Sequence, residues 1–456
     1  MVLRVFTHAL FAALLISAAA AQDHSSLLSR PKLEACQFPS HPQLPAKWQA
    51  TYLMAPFTKS QLVLGNILYD GPLSAMRVKL YGVRQGSLDL FVIDDRTYVL
   101  VSDGSAIARQ DLGDTGWRPL AQDWLTPQSQ CAGSAQIGEI DVDWWKTPLA
   151  PKPASSWIWY KAADQTPFRL VFQSPSDRLA ILSQYALSYQ VEFKPVSQTD
   201  LGAIADVCSH AKPAPTGTGP RALRSLIGNL SRSRARSQPE IKRLMPALAS
   251  CPADSLPQWP KKLALTGLMT PFDSDENPYP TEVLYDWNVQ GQGSRVFLPP
   301  QSGIAVQDAL LLGARGYNVT YRRNGGPMCA AVLPGTIRPD WPSRGSCTCE
   351  AEIEGGTPLT RHGTTRIMAC SLAPPRAAWA WYTSAGRPTV FMVTSMPGDE
   401  GSALFALLDY SQWAPGHDVP ASVFQRPDQC QVMTPPRKSS NLRRCSTCHL
   451  GAGAGQ

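Results

Sequence analysis

The sequence lacks the short motifs that identify most metal-dependent and serine-dependent enzymes. Its 456 residues include only 7 His, and no His, Cys and carboxylate residues stand together at the spacing of a metal site. No Gly-x-Ser-x-Gly is present either. The chain therefore carries no direct indication of hydrolytic chemistry, and its function has to be sought in a binding surface or in its cysteines.

Long apolar runs are missing after the first residues. Ala9 to Ile16 is an apolar stretch preceded by Arg4 and followed by small residues up to Ala21. This pattern is typical of a cleavable secretory signal and is too short for a membrane span. We therefore expect residues 1–21 to be a signal peptide, the remaining chain to be periplasmic or secreted, and no transmembrane segment to follow.

What the sequence does contain is a copy of itself. Short motifs of its first half return in the same order in its second half. The repeated motifs are Leu53–Phe57 and Leu268–Phe272, Leu68–Asp70 and Leu284–Asp286, and Trp157–Tyr160 and Trp379–Tyr382. Similarity at so long a period predicts two tandem domains of one fold rather than a solenoid of short units.

Each copy consists of short segments rich in β-branched and aromatic residues, such as Leu62–Tyr69 and Thr389–Thr394, separated by turn residues. This spacing predicts a mainly β fold built from hairpins. Leu179–Tyr189 fits either a strand or a short helix. The predicted division is signal peptide 1–21, first domain 36–208, basic linker 209–250, second domain 251–430 and flexible tail 431–456.

The 11 cysteines of an exported chain are expected to form disulfides. Two pairs bracket the copies at similar spacing, and we predict that each closes one domain. These pairs are Cys36–Cys208 and Cys251–Cys430. The other candidates leave their pairing open: Cys329, Cys347, Cys349 and Cys370 could form two further bridges, and Cys131 is the odd cysteine.

The net charge of +7 is concentrated in the predicted linker and tail. Arg232, Arg234 and Arg236 lie in the linker, and Arg443 and Arg444 lie in the tail. Aromatic residues that could stack on bases do not interleave with these arginines. We therefore expect solvated basic segments and no nucleic-acid partner.

Several motifs resemble one known family. Leu44–Trp48 with Tyr52, and Trp157–Tyr160 followed by Thr166–Arg169, are similar to the violacein-pathway enzyme that rearranges an indole-derived imine. That enzyme has the fold of the periplasmic lipoprotein carriers, the LolA-like fold. The resemblance implies two tandem curved antiparallel sheets, each an open half-barrel with an apolar hollow, and few short helices.

The resemblance does not extend to the polar residues of that enzyme's pocket. Tyr52 matches a pocket tyrosine, but Met54 stands where a Ser is expected, and Thr266 or Gly267 falls where the second copy should have the tyrosine. A site without its polar groups cannot position the same substrate. An enzyme of secondary metabolism is therefore only the third hypothesis. The part of the resemblance that we keep is the shape, a curved sheet with an apolar hollow.

A half-barrel has a concave face that its own side chains do not fill, so aromatic residues on its strands are candidates to line a ligand groove. Packing of the same rings in an ordinary core is the alternative. The first hypothesis is binding of an apolar or aromatic small molecule or a lipid. The predicted ligand-binding residues are Tyr52, Tyr69, Trp157, Trp159, Tyr285, Trp379 and Trp381.

The second hypothesis rests on Cys445-Ser446-Thr447-Cys448-His449 near the end of the chain. Two thiols at this spacing can attach covalent haem c, and the adjacent His449 can then be an axial ligand of the iron. The protein would in that case transfer electrons to a redox partner protein. The alternative is a thiol pair on a mobile tail, since few residues remain beyond His449 to enclose the ring.

Overall fold

The structure is a computed structural model, which describes a defined part of the chain. The described residues are 28–38, 40–56, 62–82, 87–94, 96–102, 107–113, 128–137, 140–148, 155–171, 186–197, 201, 210–213, 245, 248–252, 256–271, 277–313, 315–332, 338–340, 347–354, 363–371, 376–383, 385–395 and 404–425. The predicted signal peptide lies outside them. So do Cys208, Cys430 and the predicted haem residues Cys445, Cys448 and His449.

The first half of the chain forms a twelve-stranded sheet. Its strands are β1 Lys47–Pro56, β2 Val63–Asp70, β3 Ala75–Gly82, β4 Ser87–Ile93, β5 Arg96–Ser102, β6 Ile107–Asp111, β7 Gln130–Ile137, β8 Ile140–Pro148, β9 Ser155–Lys161, β10 Pro167–Val171, β11 Ala186–Pro195 and β12 Lys212–Pro213. Their order is β12-β6-β5-β4-β3-β2-β1-β11-β10-β9-β8-β7. Only the β12–β6 pairing is parallel.

The second half forms another twelve-stranded sheet. Its strands are β13 Leu248–Ala249, β14 Lys262–Pro271, β15 Tyr279–Asp286, β16 Gly291–Phe297, β17 Ile304–Leu312, β18 Arg315–Arg322, β19 Met328–Val332, β20 Cys347–Glu354, β21 Thr364–Ser371, β22 Arg376–Thr383, β23 Pro388–Ser395 and β24 Leu404–Pro415. Their order is β13-β20-β21-β22-β23-β24-β14-β15-β16-β17-β18-β19. Short 3₁₀ helices span Gly71–Leu73, Pro300–Ser302 and Ala421–Phe424.

The two sheets have the same topology. Strands β1 to β11 have the same neighbours as β14 to β24, and only the added edge strands differ: β12 lies beside β6, whereas β13 lies beside β20. Both added strands come from the predicted linker. The prediction of a mainly β fold with antiparallel sheets and few short helices is confirmed, and neither sheet closes into a barrel. Among the described residues, no helix has the length and apolar character needed to cross a membrane.

The repeat extends to the geometry of the turns. Ser74 and Gln290 occupy equivalent positions in the β2–β3 and β15–β16 hairpins, and both have positive φ, 44° and 51°. The residues before them, Leu73 and Val289, are both exposed, at 59% and 56%. Positive φ is uncommon outside glycine, so the shared strained residue shows that both hairpins have one backbone design.

The sheets are strongly curved, and Trp259 shows the direction of the bend. Its Nε1–H donates to the Tyr382 hydroxyl at 3.4 Å, and its ring centroid lies 5.6 Å from that of Tyr285. Tyr382 is on β22 and Tyr285 on β15, four strands apart, which is about 19 Å in a flat sheet. One indole reaches both rings because the sheet bends toward this face. We call this concave face the second hollow, and the equivalent face of the other sheet the first hollow.

The opposite faces of the two sheets share one apolar core. Strand alternation directs Leu53 and Ala55 of β1 away from the first hollow, and Leu268 of β14 away from the second. Side chains of both sheets then join one buried cluster. Its members include Leu53, Leu64, Trp144 and Phe168 from the first sheet and Leu268, Ile367, Val390 and Leu407 from the second. This shared core couples the stability of one repeat to that of the other.

A buried ion pair crosses this shared core. The Arg169 guanidinium donates two hydrogen bonds to the Asp409 carboxylate, both at 2.7 Å, and the two side chains are 0% and 5% exposed. Within the sheets, Arg169 is paired across strands with Tyr189, and Val390 is paired with Asp409. The equivalents of the charged residues are therefore Val390 and Tyr189, so the ion pair breaks the internal symmetry at the interface.

The segment before the first sheet contacts both repeats. The Leu28 backbone N–H donates to Glu282 Oε1 of the second sheet at 3.4 Å. Farther along, Glu34 forms a two-way backbone bridge with Ser134, on β7 of the first sheet, with distances of 2.8 and 2.9 Å. Residues 28–38 therefore form a strap that extends from one sheet to the other.

The predicted partners of the two bracketing cysteines are wrong. The structure has the disulfides Cys36–Cys131 and Cys251–Cys349 in place of Cys36–Cys208 and Cys251–Cys430. The physical reason is an edge contact in each repeat. The chain two residues before each cysteine pairs with edge strand β7 or β20, and this holds each sulfur beside that strand. Cys131 is consequently not the odd cysteine.

A third disulfide, Cys347–Cys370, joins directly opposed residues of β20 and β21. The equivalent pair in the first repeat is Ser129 and Thr147, whose hydroxyl oxygens lie 2.7 Å apart in a hydrogen bond. Cys329 is also disulfide-bonded. The same cross-strand contact is therefore made covalently in one repeat and by a hydrogen bond in the other.

We predict that the double variant Cys347→Ser/Cys370→Thr folds, because it copies the pair found in the first repeat. Losing a crosslink across 23 residues should cost up to about 3 kcal/mol, and the new hydrogen bond should offset about 1 kcal/mol. The control, Cys251→Ser/Cys349→Ser, opens a separation of 98 residues and should cost about 4–5 kcal/mol. Guanidinium unfolding under non-reducing conditions measures both, and a larger loss in the first variant would contradict this equivalence.

We also predict that Arg169→Met lowers the free energy of unfolding by about 3–5 kcal/mol, because the Asp409 carboxylate is left buried without its cation. The double variant Arg169→Met/Asp409→Leu should recover most of this loss, since apolar residues of similar volume replace buried ion pairs at little cost. Urea unfolding of the three proteins tests the pair. Equal losses in the single and double variants would show that packing, and not the uncompensated charge, decides the stability.

Candidate functional site

The first hollow begins with the aromatic residues of β1 and β2. Trp48, Ala50 and Tyr52 alternate along β1 and so share the concave face, where Tyr69 of β2 joins them in one buried cluster. The Trp48 ring centroid lies 5.6 Å from that of Tyr69 and 5.6 Å from that of Phe193. Trp48 therefore packs between two other rings on the floor of the first hollow.

Strands β8 and β9 close the first hollow from the other side. Trp145 and Tyr160 belong to the same cluster and are 2% and 1% exposed. The His41 ring lies 5.1 Å from the Trp145 ring, and its Nε2 is 3.0 Å from the Ser129 carbonyl oxygen. Trp144, the residue before Trp145, lies in the shared core, as expected for successive residues of a strand.

The second hollow has an equivalent aromatic set. Tyr285 and Tyr382 correspond to Tyr69 and Tyr160 and are buried in one cluster with Tyr410 and Trp259. Trp259 precedes the strand position that corresponds to Trp48, yet it packs on Tyr285 with the same 5.6 Å centroid separation that Trp48 has from Tyr69. The ring arrangement is thus retained while the residue that supplies it changes.

One tyrosine has moved from one strand to the next between the repeats. Tyr52 of β1 is paired across strands with Gln190, and the equivalent pair in the second sheet is Gly267 with Tyr410. A Cβ at Gly267 would lie 2.2 Å from the Asp409 carbonyl oxygen and 3.0 Å from the Tyr410 Cα. The glycine therefore lets β24 approach closely, so that each hollow has one tyrosine from this cross-strand pair.

The buried phenols remain neutral well above physiological pH. Loss of hydration raises the pKa of Tyr52 and Tyr410, and it raises that of Tyr382 against the opposing effect of the Trp259 N–H bond. The pKa of Tyr285 is raised first by burial and then by the Asp340 carboxylate. The hollows therefore offer neutral hydroxyl groups and aromatic faces.

Four buried polar atoms of the hollows have no hydrogen-bond partner within the described part of the chain. They are Nε1 of Trp48, Nε1 of Trp145, the hydroxyl of Tyr285 and Oε1 of Gln292, the residue paired across strands with Tyr285. A buried polar group without a partner costs about 1–3 kcal/mol. Most buried polar groups in proteins are satisfied, so these atoms mark places where a further molecule would be stabilised.

Two of the predicted ligand-binding residues, Tyr52 and Tyr69, lie together in the first hollow. A third, Tyr285, lies in the second hollow. The other predictions, Trp157, Trp159, Trp379 and Trp381, lie on β9 and β22, and their side chains are outside the described part. Six further aromatic residues, which the sequence did not predict as ligand-binding, also line the hollows. They are Trp48, Trp145, Tyr160, Trp259, Tyr382 and Tyr410. The repeated Trp–Tyr motifs were the available signal for Tyr160 and Tyr382.

One group of metal-ligating residue types occurs among the described residues. Cys36, Cys131 and Asp143 place their ligand atoms within 4.8 Å of one another. The two sulfurs are bonded to each other, and the carboxylate accepts backbone N–H groups of Gln37 at 3.2 Å and Phe38 at 3.1 Å. Asp143 therefore anchors the strap beside its disulfide. Haem attachment at the C-terminal motif stays a prediction.

Comparisons with known proteins give no family. No family model matches the chain, and no curated protein matches it. Similar solved structures include an uncharacterized conserved protein from Thermus thermophilus, with 14% identity, 38% of this chain and 91% of that chain covered, and a TM-score of 0.25. They also include a LolA superfamily protein from Nitrosomonas europaea, with 16% identity, 38% and 92% covered, and a TM-score of 0.21. Likeness at this level assigns no ligand.

We predict that Gly267→Ala destabilises the protein by several kcal/mol, on the order of 3, because its Cβ would overlap the Asp409 carbonyl oxygen. Gly293→Ala on β16, two strands away, is the matched control, since the nearest atom to its Cβ would be Asp308 Oδ1 at an ordinary 3.4 Å. That control should change stability by less than about 1 kcal/mol. Thermal unfolding followed by circular dichroism compares the two, and equal stability would contradict the close approach of β24.

Proposed function

We propose that the protein binds an apolar or aromatic small molecule or a lipid on the concave face of at least one repeat. The observation that carries the proposal is the retained set of buried rings in both hollows, including the tyrosine that Tyr52 supplies in one repeat and Tyr410 in the other. Any apolar residue of suitable volume can fill a core. Retention of a phenol at a shifted position favours a role that needs the aromatic face and its hydroxyl.

The chemistry of the hollows supports an uncharged guest. Aromatic rings give large apolar contact area with directional edges and faces, and about 25 cal/mol is gained per Å² of apolar surface removed from water. The neutral phenols and the indole N–H groups add hydrogen bonds that orient a guest. Binding sites for small molecules commonly combine such apolar walls with a few polar groups.

We propose further that this binding takes place outside the cytoplasm. The described residues hold three disulfides, and disulfides persist in oxidising compartments. Two of them, Cys36–Cys131 and Cys251–Cys349, join the segment before each sheet to its edge strand, β7 or β20. The compartment is thus supported by the covalent structure as well as by the predicted signal peptide.

Binding can be measured with the fluorescent apolar probe N-phenyl-1-naphthylamine, whose emission rises when it leaves water. We expect saturable binding to the full chain, and a loss of about tenfold in affinity, near 1.4 kcal/mol, for Tyr69→Leu or Tyr285→Leu in the hollow that takes the guest. These changes keep apolar bulk but remove the ring. Leu73→Ser, at an exposed hairpin tip, is the control and should bind as the parent protein does.

Circular dichroism spectra of all variants must match, so that a loss of binding reports the hollow and not unfolding. Native mass spectrometry of the protein purified from its own cells gives a second measurement, in which an added mass that organic solvent removes is expected. Absence of saturable probe binding, or binding that neither tyrosine variant changes, would refute the proposal.

A further inference from the structure

The first hollow contains two indole N–H groups for which the described residues provide no acceptor. Trp48 and Trp145 are 1% and 2% exposed, and neither Nε1 has a hydrogen-bond partner in the described part of the chain. Both rings belong to the buried cluster that also holds Tyr52, Tyr69 and Tyr160. Two donors without acceptors therefore lie in the pocket for which we propose a guest.

The chemistry of indole restricts which group can be the hydrogen-bond partner of these two N–H donors. The Nε1–H group donates and cannot accept, so the missing partner has to be an acceptor. A water molecule accepts, but it also has two protons to place and needs two to four polar partners in a buried site. The neighbouring cluster members Ala50, Val78 and Leu80 are apolar, and the polar members beside the two indoles are phenols. A carbonyl oxygen has two lone pairs and no proton, so it satisfies donors without a further demand.

The charge around the hollow favours a neutral acceptor over a carboxylate. The basic residues of the central strands alternate with residues that face the first hollow: Lys47 precedes Trp48, and Arg77 and Lys79 flank Val78. They consequently lie on the opposite face of the sheet. Burying a carboxylate away from a cation costs far more than burying a neutral carbonyl.

The second hollow provides an internal comparison. Strand register places Leu263 and Met368 at the positions equivalent to Trp48 and Trp145, and neither side chain has a donor. Trp259 in that hollow donates to Tyr382. Among the described residues, its polar atoms without a partner are the Tyr285 hydroxyl, which both donates and accepts, and Gln292 Oε1, which accepts. A requirement for acceptors is therefore specific to the first hollow.

We infer that the first hollow takes an apolar molecule with a neutral carbonyl group, such as an ester, a ketone or a quinone, and that Trp48 or Trp145 donates to its oxygen. This inference rests on the proposed binding function and names the class of guest. It also assigns the selection to two tryptophans that lie on opposite sides of the hollow.

The test uses three probes with the same alkyl chain: methyl laurate, dodecane and dodecylamine. Each displaces N-phenyl-1-naphthylamine from the full-length protein, and the midpoints give relative affinities. We expect the ester to bind at least about tenfold more tightly than the alkane or the amine, which corresponds to one hydrogen bond to a buried donor. Trp48→Phe or Trp145→Phe should remove most of this preference while leaving the affinity for dodecane within about twofold.

The matched control is Trp144→Phe, which makes the same substitution at the next residue, on the face that packs in the shared core, and should leave the preference unchanged. If Trp48→Phe does not fold, a benzothienylalanine residue at position 48 replaces only the N–H by sulfur. Equal binding of ester and alkane, or a preference that survives both tryptophan variants, overturns this inference but leaves the binding function standing. A bound dye that none of the three probes displaces also overturns this inference, whereas absence of saturable dye binding refutes the binding function itself.

Discussion

The buried contact between the two sheets is the interaction on which the rest of the structure depends. Each sheet turns one face outward from its own hollow, and these faces meet in an apolar core that contains the Arg169–Asp409 pair. These two charges offset the cost of each other's burial only while both remain in place. The sheets are consequently fixed in one relative position, and the concave faces are left on the far sides of the molecule's shared core.

This arrangement separates stability from the proposed function. The outward faces use aliphatic side chains and one ion pair to join the repeats, whereas the hollows concentrate tryptophan and tyrosine with uncommitted polar atoms. A buried donor without a partner lowers stability, so the two indole N–H groups of the first hollow do not serve stability. A guest that accepts those hydrogen bonds would remove the cost on binding.

Comparison of the repeats shows which contacts the fold requires and which chemistry is free to vary. The cross-strand contact of β7 with β8 is a Ser129–Thr147 hydrogen bond, and its equivalent is the Cys347–Cys370 disulfide. By contrast, both repeats have a disulfide that joins the segment before the sheet to its edge strand: Cys36–Cys131 in the first and Cys251–Cys349 in the second. Anchoring the segment before each sheet is therefore a property of the fold, because it covers the exposed edge of β7 or β20. The second crosslink is particular to one copy.

The sequence by itself determined the tandem repeat, the β class and the positions of many strands: predicted Leu62–Tyr69 is observed as Val63–Asp70, and the described end of the undecided segment Leu179–Tyr189, from Ala186 on, belongs to β11. These features follow from local alternation and turn residues. Tertiary structure decided the disulfide partners, the Arg169–Asp409 pair and the membership of Trp48 and Trp145 in one hollow. Each of these joins residues far apart in the chain, and their meeting depends on how sharply a sheet bends and how two sheets pack, which no local pattern encodes.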